Sequence, residues 1–246
     1  MRKLRQEVNV PIKEITHSVD EIKKELVTLK GTALVKALKK NLFEAYYVET
    51  KGEAVKLLHS LIPNGSIIGV GDSHSFYQLD MEDELRKRDC KLITNKTALN
   101  LHGYNNDQNP YIKELTREQV RDILADYLTS DVFVLSANAI TMEGEIINVD
   151  GVGNRIAGSL FGADRIIMVV GINKVVSNEA AARERVASVA SPMNKIKYGD
   201  VCPSVKTGVC THCSSTNRSC NITTIMHKRP LKSDYHIIIV GEELGF

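Results

Sequence analysis

From residue 43 onward, short apolar runs alternate with longer amphipathic segments. Adjacent apolar positions within a run are typical of strands that are buried on both faces. These predicted strands lie at Ala45–Val48, Ser66–Val70, Lys91–Thr94, Asp131–Ser136, Glu145–Val149, Arg165–Val170 and His236–Val240. The amphipathic segments space their apolar residues as a helix does, which predicts helices at Glu53–Leu61, Phe76–Arg88, Arg117–Leu128, Asn154–Phe161 and Glu179–Val189.

Strands that alternate with helices of about ten residues predict right-handed crossovers and an α/β fold. We expect a largely parallel sheet with helices on both faces. The first forty residues instead show a helical apolar pattern that no strand interrupts. We therefore predict an N-terminal helical arm at 1–42 and an α/β domain at 43–246, which includes the cysteine cluster at 202–220.

The chain of 246 residues carries 32 Lys and Arg against 30 Asp and Glu, a formal net charge of +2. A balance this close to neutral gives no reason to expect nucleic acid or an anionic membrane as the main partner. No apolar run reaches the roughly 18 to 20 residues that a membrane-spanning helix needs. The basic start is not followed by the apolar core of a secretory signal. We therefore expect a soluble, cytoplasmic protein.

The first candidate site is the glycine-rich turn that follows the strand Ser66–Val70. Gly69 and Gly71 permit a tight turn, and with Asp72 and Ser73 they lead directly into a helix. Such a turn exposes backbone N–H groups that bind anions, at the sheet edge where ligands usually lie. Asp72 would repel a phosphate unless a cation lies nearby, and the turn matches neither a dinucleotide fingerprint nor a P-loop. The alternative is that the glycines only turn the chain and Ser73 only caps the helix.

A second group of polar residues lies between the ends of two predicted strands, in the segment 136–155. Glu143 is a candidate general base or nucleophile. Arg155 is suited to hold a carboxylate through two hydrogen bonds, and Asn138 and Asn154 are candidate substrate ligands. The alternatives are that Asn154 only caps a helix and that Glu143 only belongs to a turn.

Lys174 comes shortly after the most apolar predicted strand, Arg165–Val170. That position is the sheet edge where the ends of parallel strands deliver functional groups. Lys174 is therefore a candidate catalytic residue, and a solvated lysine is the alternative.

Four of the five cysteines lie close together, in the spacing C-x7-C-x2-C-x6-C. They are Cys202, Cys210, Cys213 and Cys220. In a chain without a secretory signal, this clustering indicates a metal site instead of disulfides. Four thiolates suit tetrahedral zinc or an iron–sulfur cluster, and the spacing does not separate the two. The alternatives are four unrelated thiols or a labile disulfide.

Four stretches of the sequence resemble the LUD-domain family, the lactate-utilisation proteins formerly grouped as a domain of unknown function. They are IIGVGDSHSF, NAITMEGEIINVDGVGNRIAGSLFGADRIIMVVGINKVV, ASPMNKIKYG, and CPSVKTGVCTHCSSTNRSCN with the closing IIIVGEELGF. The resemblance implies a fold similar to that of the NagB/RpiA/CoA-transferase group, in which the glycine turn faces the ligand. It also implies that Glu143 corresponds to the glutamate of that group's catalytic turn.

The resemblance further implies a role in the oxidation of L-lactate to pyruvate, where family members act with partner subunits. We therefore expect an oxidoreductase subunit that acts on L-lactate or a similar small carboxylate, with an iron–sulfur cluster or zinc at the four cysteines. Two alternatives stay open: a non-redox enzyme that acts on a phosphosugar or a CoA ester, and a non-catalytic binding subunit with structural zinc. The amphipathic arm makes a homodimer a further expectation.

Overall fold

The computed structural model describes residues 16–94, 117–197, 199, 202–216 and 218–246. Helices are α1 (Val19–Lys40), α2 (Lys51–Leu61), α3 (His74–Tyr77), α4 (Glu82–Lys87), α5 (Arg117–Leu128), α6 (Asn154–Leu160), α7 (Glu179–Arg185), α8 (Ser191–Lys197) and α9 (Pro203–Thr207). Strands are β1 (Glu44–Val48), β2 (Ile67–Val70), β3 (Lys91–Thr94), β4 (Val132–Leu135), β5 (Ala139–Thr141), β6 (Ile146–Asp150), β7 (Arg165–Gly171), β8 (Val175–Val176), β9 (Ile222–Met226) and β10 (Asp234–Val240). Residues 1–15 of the predicted arm lie outside the described residues.

Six strands form the main sheet in the order β1-β10-β7-β4-β2-β3, and each neighbouring pair is parallel. Leu34 and Leu38 of α1 and Tyr127 of α5 pack in the core on one face. Leu58 of α2 and Leu85 of α4 pack in the core on the other face. The predicted α/β fold, with a parallel sheet covered on both faces, is confirmed.

The strand β7 shows why the sequence pattern indicated this arrangement. Ile166 and Met168 belong to the core on the α1 face, whereas Ile167 and Val169 belong to the core on the α2 face. Because successive side chains of a strand point to opposite faces, a strand covered on both sides must be apolar at every position. A continuous apolar run is the result.

The sequence pattern does not predict the second, smaller sheet. Its order is β8-β5-β6-β9, with β6 antiparallel to both neighbours and β5 parallel to β8. The predicted strand Glu145–Val149 corresponds to β6 in this sheet. The strand β5 has three residues and β8 has two, so neither is long enough to produce a periodic signal.

The helix α1 begins at a capping box and ends in the main core. Ser18 Oγ accepts a hydrogen bond from the Glu21 N–H, and the Glu21 carboxylate accepts one from the Ser18 N–H. Near the other end, Leu34 and Leu38 are fully buried. In the earlier turns of the helix, the apolar side chains are each at least half exposed. They are Val19, Ile22, Leu26 and Leu29. The boundary between an arm and a domain at residue 42 stays a prediction.

Two predicted helices run differently in the structure. The predicted helix Phe76–Arg88 is interrupted between α3 and α4, because Asp80 has a φ of 57°, outside the right-handed helical region. The predicted helix Glu179–Val189 continues through a π-helical segment at 186–190 into α8. Pro192 lies two residues beyond the end of that segment and supplies no N–H to the preceding turn, so the regular hydrogen-bond ladder is broken there.

Candidate functional site

The glycine turn after β2 lies at the carboxyl edge of the main sheet. Gly69 lies within β2 and Gly71 follows it in the turn, and both allow close packing. A Cβ on Gly69 would lie 2.7 Å from the Tyr127 carbonyl oxygen, and one on Gly71 would lie 3.1 Å from Arg155 Cγ. Ser73 caps α3, because its Oγ accepts a hydrogen bond of 3.2 Å from a backbone N–H of that helix. The turn therefore brings Arg155 against the end of β2, and ligand binding by the turn itself stays a prediction.

Asp72 in this turn has a cationic partner. Its Oδ2 lies 2.7 Å from Nζ of Lys197, at the end of α8, and both side chains are largely buried. Since this pair is close and poorly solvated, the charge of Asp72 is offset locally. The repulsion of an anion that Asp72 alone would cause is therefore reduced.

Arg155 is half-buried between the second sheet and the glycine turn. Its Nη2 donates a hydrogen bond to Asn138 Oδ1 at 2.8 Å and another to the Val149 carbonyl oxygen. Asn138 Oδ1 also accepts a bond of 2.8 Å from the Val149 N–H, which fixes the amide. Among the described residues, Nε and Nη1 of this guanidinium have no hydrogen-bond partner. Asn154 is the first residue of α6, and Gly153 occupies the N-cap position.

Lys174 is buried, with 4% of its surface exposed. Its Nζ lies 2.9 Å from Ser75 Oγ and 3.1 Å from Ser136 Oγ, and these two oxygens are 3.2 Å apart. Lys174 follows β7, Ser136 follows β4, and Ser75 lies in α3 just after β2, so three adjacent parallel strands bring the groups together. Lys174 is therefore not a solvated lysine.

Three cationic side chains, Lys174, Arg155 and Arg185, influence one another at this end of the sheet. Burial, with the positive charges of Arg185 and Arg155, lowers the pKa of Lys174 to about 7. Arg185 is also buried, which lowers its pKa, and it donates hydrogen bonds to the backbone carbonyls of Asn173 and Asn138. In the part of the chain that the structure describes, none of the three cations forms an ion pair with a carboxylate.

The segment 244–246, which we call the cover segment, lies over the buried lysine. The Leu244 carbonyl oxygen accepts a hydrogen bond of 3.1 Å from Ser75 Oγ. A Cβ on Gly245 would lie 2.7 Å from Ser75 Oγ and 3.0 Å from the lysine Nζ. Asn173 holds the segment through a bond of 3.1 Å from the Leu244 N–H and one of 3.2 Å to the Gly245 carbonyl oxygen. The lysine and its serines are thus closed off from solvent on this side.

The described contacts of Glu143 do not include Lys174 or its two serines. It is exposed on the turn between β5 and β6, and its carbonyl oxygen accepts a hydrogen bond of 2.9 Å from Asn41 Nδ2. The next residue, Gly144, packs so closely on α1 that a Cβ would lie 3.2 Å from the Ala37 carbonyl carbon. The contacts of Glu143 are therefore with the end of α1, and a catalytic role for it stays a prediction.

The four clustered cysteines line one small cavity. Cys202 Sγ and Cys213 Sγ lie 3.8 Å apart, and the Cys210 thiol lies close enough to that of Cys220 to raise its pKa. The cavity has a volume of about 10 Å³, which is room for about one water molecule or ion. The four cysteines that cluster in the sequence thus line the same cavity, and their thiols form two neighbouring pairs.

The protonation of these thiols differs between the pairs. A hydrogen bond from Ser204 lowers the pKa of Cys202, whereas burial raises the pKa of Cys220. Arg218 fixes the loop around them by donating to the carbonyl oxygens of Cys213 at 3.1 Å and Cys220 at 3.0 Å. Arg218 therefore holds the backbone of the loop at Cys213 and Cys220.

The sulfur geometry agrees in part with a single metal ion. Two thiolates bound to one tetrahedral zinc ion at about 2.3 Å each lie about 3.8 Å apart. Cys202 and Cys213 show this separation. Over the described ranges, however, no three Cys, His, Asp or Glu side chains are arranged as a complete ligand set. Four-fold ligation would need the two thiol pairs to approach each other.

The helix α8 links the cysteine cavity to the glycine turn. The Cys210 N–H donates a hydrogen bond of 2.8 Å to the Ala187 carbonyl oxygen, in the π-helical segment that precedes α8. Lys195 of α8 lines the cavity, and Lys197 two residues later pairs with Asp72. One short helix therefore contacts both the cysteine cavity and the glycine turn.

A model of the LUD-domain family matches residues 32–240, well over half of the chain. The chain belongs to the LUD-domain family. The resemblance seen in the sequence motifs is thereby confirmed, and the family as a whole is associated with lactate utilisation.

Among solved structures, this LUD-domain protein is similar to a crystal structure of a DUF162 family protein from Deinococcus radiodurans at 1.70 Å resolution. The two share 14% sequence identity with a TM-score of 0.44, over 88% of this chain and 98% of the other. A search among curated proteins gave no match.

Sequence reasoning identified Arg155 and Lys174 of this LUD-domain protein but missed the side chains around the lysine. A signal existed for Ser136, because it ends the predicted strand Asp131–Ser136 and so falls at the carboxyl edge. From the sequence alone, Ser75 is recognisable only as a hydroxyl residue of the glycine turn. Arg185 lies in a charged helical segment, where nothing in the sequence marks it as buried.

Proposed function

We propose that this LUD-domain protein binds L-lactate or a similar small carboxylate and serves as a subunit in its oxidation to pyruvate. The family association with lactate utilisation supports the process. The observation that carries the proposal is the group of Lys174, Arg155 and Arg185, which forms no ion pair within the described residues. A bound anion would offset the repulsion among these charges, so a small carboxylate is a suitable ligand.

Arg155 is the proposed anchor for the substrate carboxylate. Asn138 fixes one side of its guanidinium, and Nε and Nη1 have no partner in the described part of the chain. Two donors on one planar group match the two oxygens of a carboxylate. Lys174 is the proposed catalytic group, because an amine with a pKa of about 7 is present in both the charged and the neutral form near neutral pH.

The second part of the proposal is a metal ion at Cys202, Cys210, Cys213 and Cys220. The shared cavity and the 3.8 Å separation of two sulfurs support it. A cavity of about 10 Å³ favours a single ion over a multi-iron cluster. Zinc with four thiolates would have a structural role, whereas iron would supply electron transfer. In either case the loop would be fixed relative to α8.

The proposal also includes partner subunits of the lactate-oxidation complex and a homodimer of this chain. The exposed apolar residues of α1, spaced along one side of the helix, offer a surface for a second copy. Within the described residues, no helix combines the length and the apolar character that crossing a bilayer requires.

Calorimetric titration with L-lactate tests the ligand, with a sugar phosphate and an acyl-CoA titrated in parallel. We expect lactate to bind and Arg155→Gln to weaken binding by about 10- to 100-fold, the loss expected for a hydrogen bond to a charged group. Arg183→Gln is the matched control, because Arg183 is exposed and pairs with Glu179 on α7. Its affinity should match that of the parent protein.

A lactate-dependent dye-reduction assay then tests the reaction, first with the protein alone and then with candidate partner subunits. Lactate binding without reduction in any combination would refute the redox role and leave a binding subunit. Binding of the sugar phosphate or the acyl-CoA, with no response to lactate, would refute the carboxylate proposal in favour of the non-redox alternative.

A further inference from the structure

The buried lysine and its two serines form a group that the proposed lactate role does not fully use. Ser75, Ser136 and Lys174 follow three neighbouring parallel strands, β2, β4 and β7. The chain runs from β2 outward to β3 and then back past β2 to β4. The carboxyl ends of β2 and β4 therefore flank a point of reversal, where open α/β sheets usually bind ligands.

The hydrogen bonds distinguish the two serines. Ser75 Oγ donates to the Leu244 carbonyl oxygen or to Ser136 Oγ, at 3.1 and 3.2 Å. Ser136 Oγ appears only as an acceptor, so its own proton goes to no other group in the described residues. When Lys174 is neutral, its nitrogen at 3.1 Å is the available acceptor for that proton.

We propose that Ser136 and Lys174 form a serine–lysine pair that transfers the acyl group of a small ester or thioester. Pairs of this type occur on unrelated folds and are recognised by geometry and roles. The inference does not depend on lactate as the ligand, because it rests on the hydroxyl–amine contact alone.

The steps balance without a redox partner. Ser136 Oγ bonds to the acyl carbon while Lys174 Nζ takes the hydroxyl proton. The bond from the acyl carbon to the leaving oxygen or sulfur then breaks, and the leaving group takes the proton from Lys174. Water then bonds to the acyl carbon while Lys174 Nζ takes one of its protons. The bond from the acyl carbon to Ser136 Oγ breaks, Ser136 takes the proton from Lys174, and the carboxylic acid leaves.

The surrounding charges suit this chemistry. Burial and the charges of Arg185 and Arg155 oppose protonation of Lys174, so a neutral base is present near pH 7. The same two arginines would stabilise the negative charge that develops on the carbonyl oxygen in a site with little water.

Ser75 and the cover segment have positioning roles in this proposal. Ser75 bonds to Lys174 Nζ at 2.9 Å and holds the amine next to Ser136. Because Ser136 is 4% exposed, an ester reaches it only when the cover segment moves.

Labelling with a small sulfonyl fluoride, followed by peptide mass spectrometry of the folded protein, tests the pair. We expect a single modified residue, Ser136, with a rate that rises with pH around a midpoint near 7. Ser136→Ala and Lys174→Met should each reduce the rate at least tenfold. Lys87→Met, an exposed lysine on α4, should not change it.

Hydrolysis of p-nitrophenyl acetate should follow the same pH profile, with Ser75→Ala slowed but still active. The pH profile and the identity of the labelled residue are measured on the parent protein. They therefore test the serine–lysine pair even if a substitution unfolds the chain. No labelling of folded protein between pH 6 and 9, or modification of Lys174 in place of Ser136, would overturn the proposal. The lactate titration is independent of these experiments, so the lactate proposal and the serine–lysine proposal can be refuted independently of each other.

Discussion

At Lys174, burial and the charges of Arg185 and Arg155 all oppose protonation and lower its pKa. A carboxylate bound beside the amine would act in the opposite direction and raise its pKa. The affinity for an anion should therefore be greatest below pH 7 and should fall as the pH rises through the pKa. The lysine couples ligand binding to protonation.

Gly245 is the residue on which the fit of the cover segment depends. It has a φ of 61°, and a Cβ there would lie 2.7 Å from Ser75 Oγ. We predict that Gly245→Ala lowers the free energy of unfolding by more than the about 1 kcal/mol that a left-handed alanine loses through backbone strain. Urea unfolding measures the loss, and hydrogen exchange should show faster exchange at Leu244 and Gly245.

The control for this substitution is Gly65→Ala. Gly65 has a φ of 73°, and no atom lies within 4 Å of the position of its Cβ, so only the backbone strain applies. Equal losses at both positions would mean that the cover segment is not tightly packed on Ser75.

Single residues could be predicted from the sequence where position along a strand was enough. Lys174 follows an apolar strand in a parallel sheet, so its place at the carboxyl edge was predictable. Its burial was not, because that depends on the cover segment, which lies about seventy residues further along the chain. Glu143 shows the opposite case: the turn was predictable, but the contact with α1 lies about a hundred residues away in the chain.

Among the elements, the cysteine loop and α8 form a connected unit. We predict that Cys213→Ser abolishes metal binding, because it removes the sulfur that lies 3.8 Å from Cys202 Sγ and leaves three of the four thiols around the cavity. Elemental analysis of protein purified without oxygen should give about one zinc or iron ion per chain for the parent and none for the variant.

Cys90→Ala is the matched control, because Cys90 is a buried thiol in the core beneath α4, away from the cavity. It should retain the full metal content. Parent protein that contains no ion under these conditions would contradict the metal proposal, and the thiols would then be unrelated or a labile disulfide.

The larger elements were predictable to the extent that they are long and periodic. The strands β4 and β7 are apolar at nearly every position and β10 at its last four, and the sequence pattern located each of them. The second sheet was not predictable, because β5 and β8 are too short for a periodic pattern and β9 is largely exposed. Its formation depends on pairing with β6, which is a tertiary effect.

For the whole molecule, the buried lysine predicts a specific pH dependence of stability. The unfolded chain keeps the proton of Lys174 up to a pKa of about 10.4, whereas the folded protein releases it near 7. Between these values the unfolded state binds more protons, so stability rises with pH by about 1.4 kcal/mol per pH unit. Relative to Lys174→Met, the parent should therefore gain stability from pH 7 to pH 9 in urea unfolding. A constant difference between the two would exclude the lowered pKa.

The most direct test of the anion site is the uptake of a proton on binding. L-lactate is titrated at pH 8 into the protein in HEPES and in Tris, two buffers with different heats of ionisation and no competing phosphate. If the carboxylate binds beside Lys174, the observed enthalpy should differ between the buffers by the heat of up to about one proton, and Lys174→Met should abolish the difference. Lactate binding with the same enthalpy in both buffers, or no binding at all, would contradict the account.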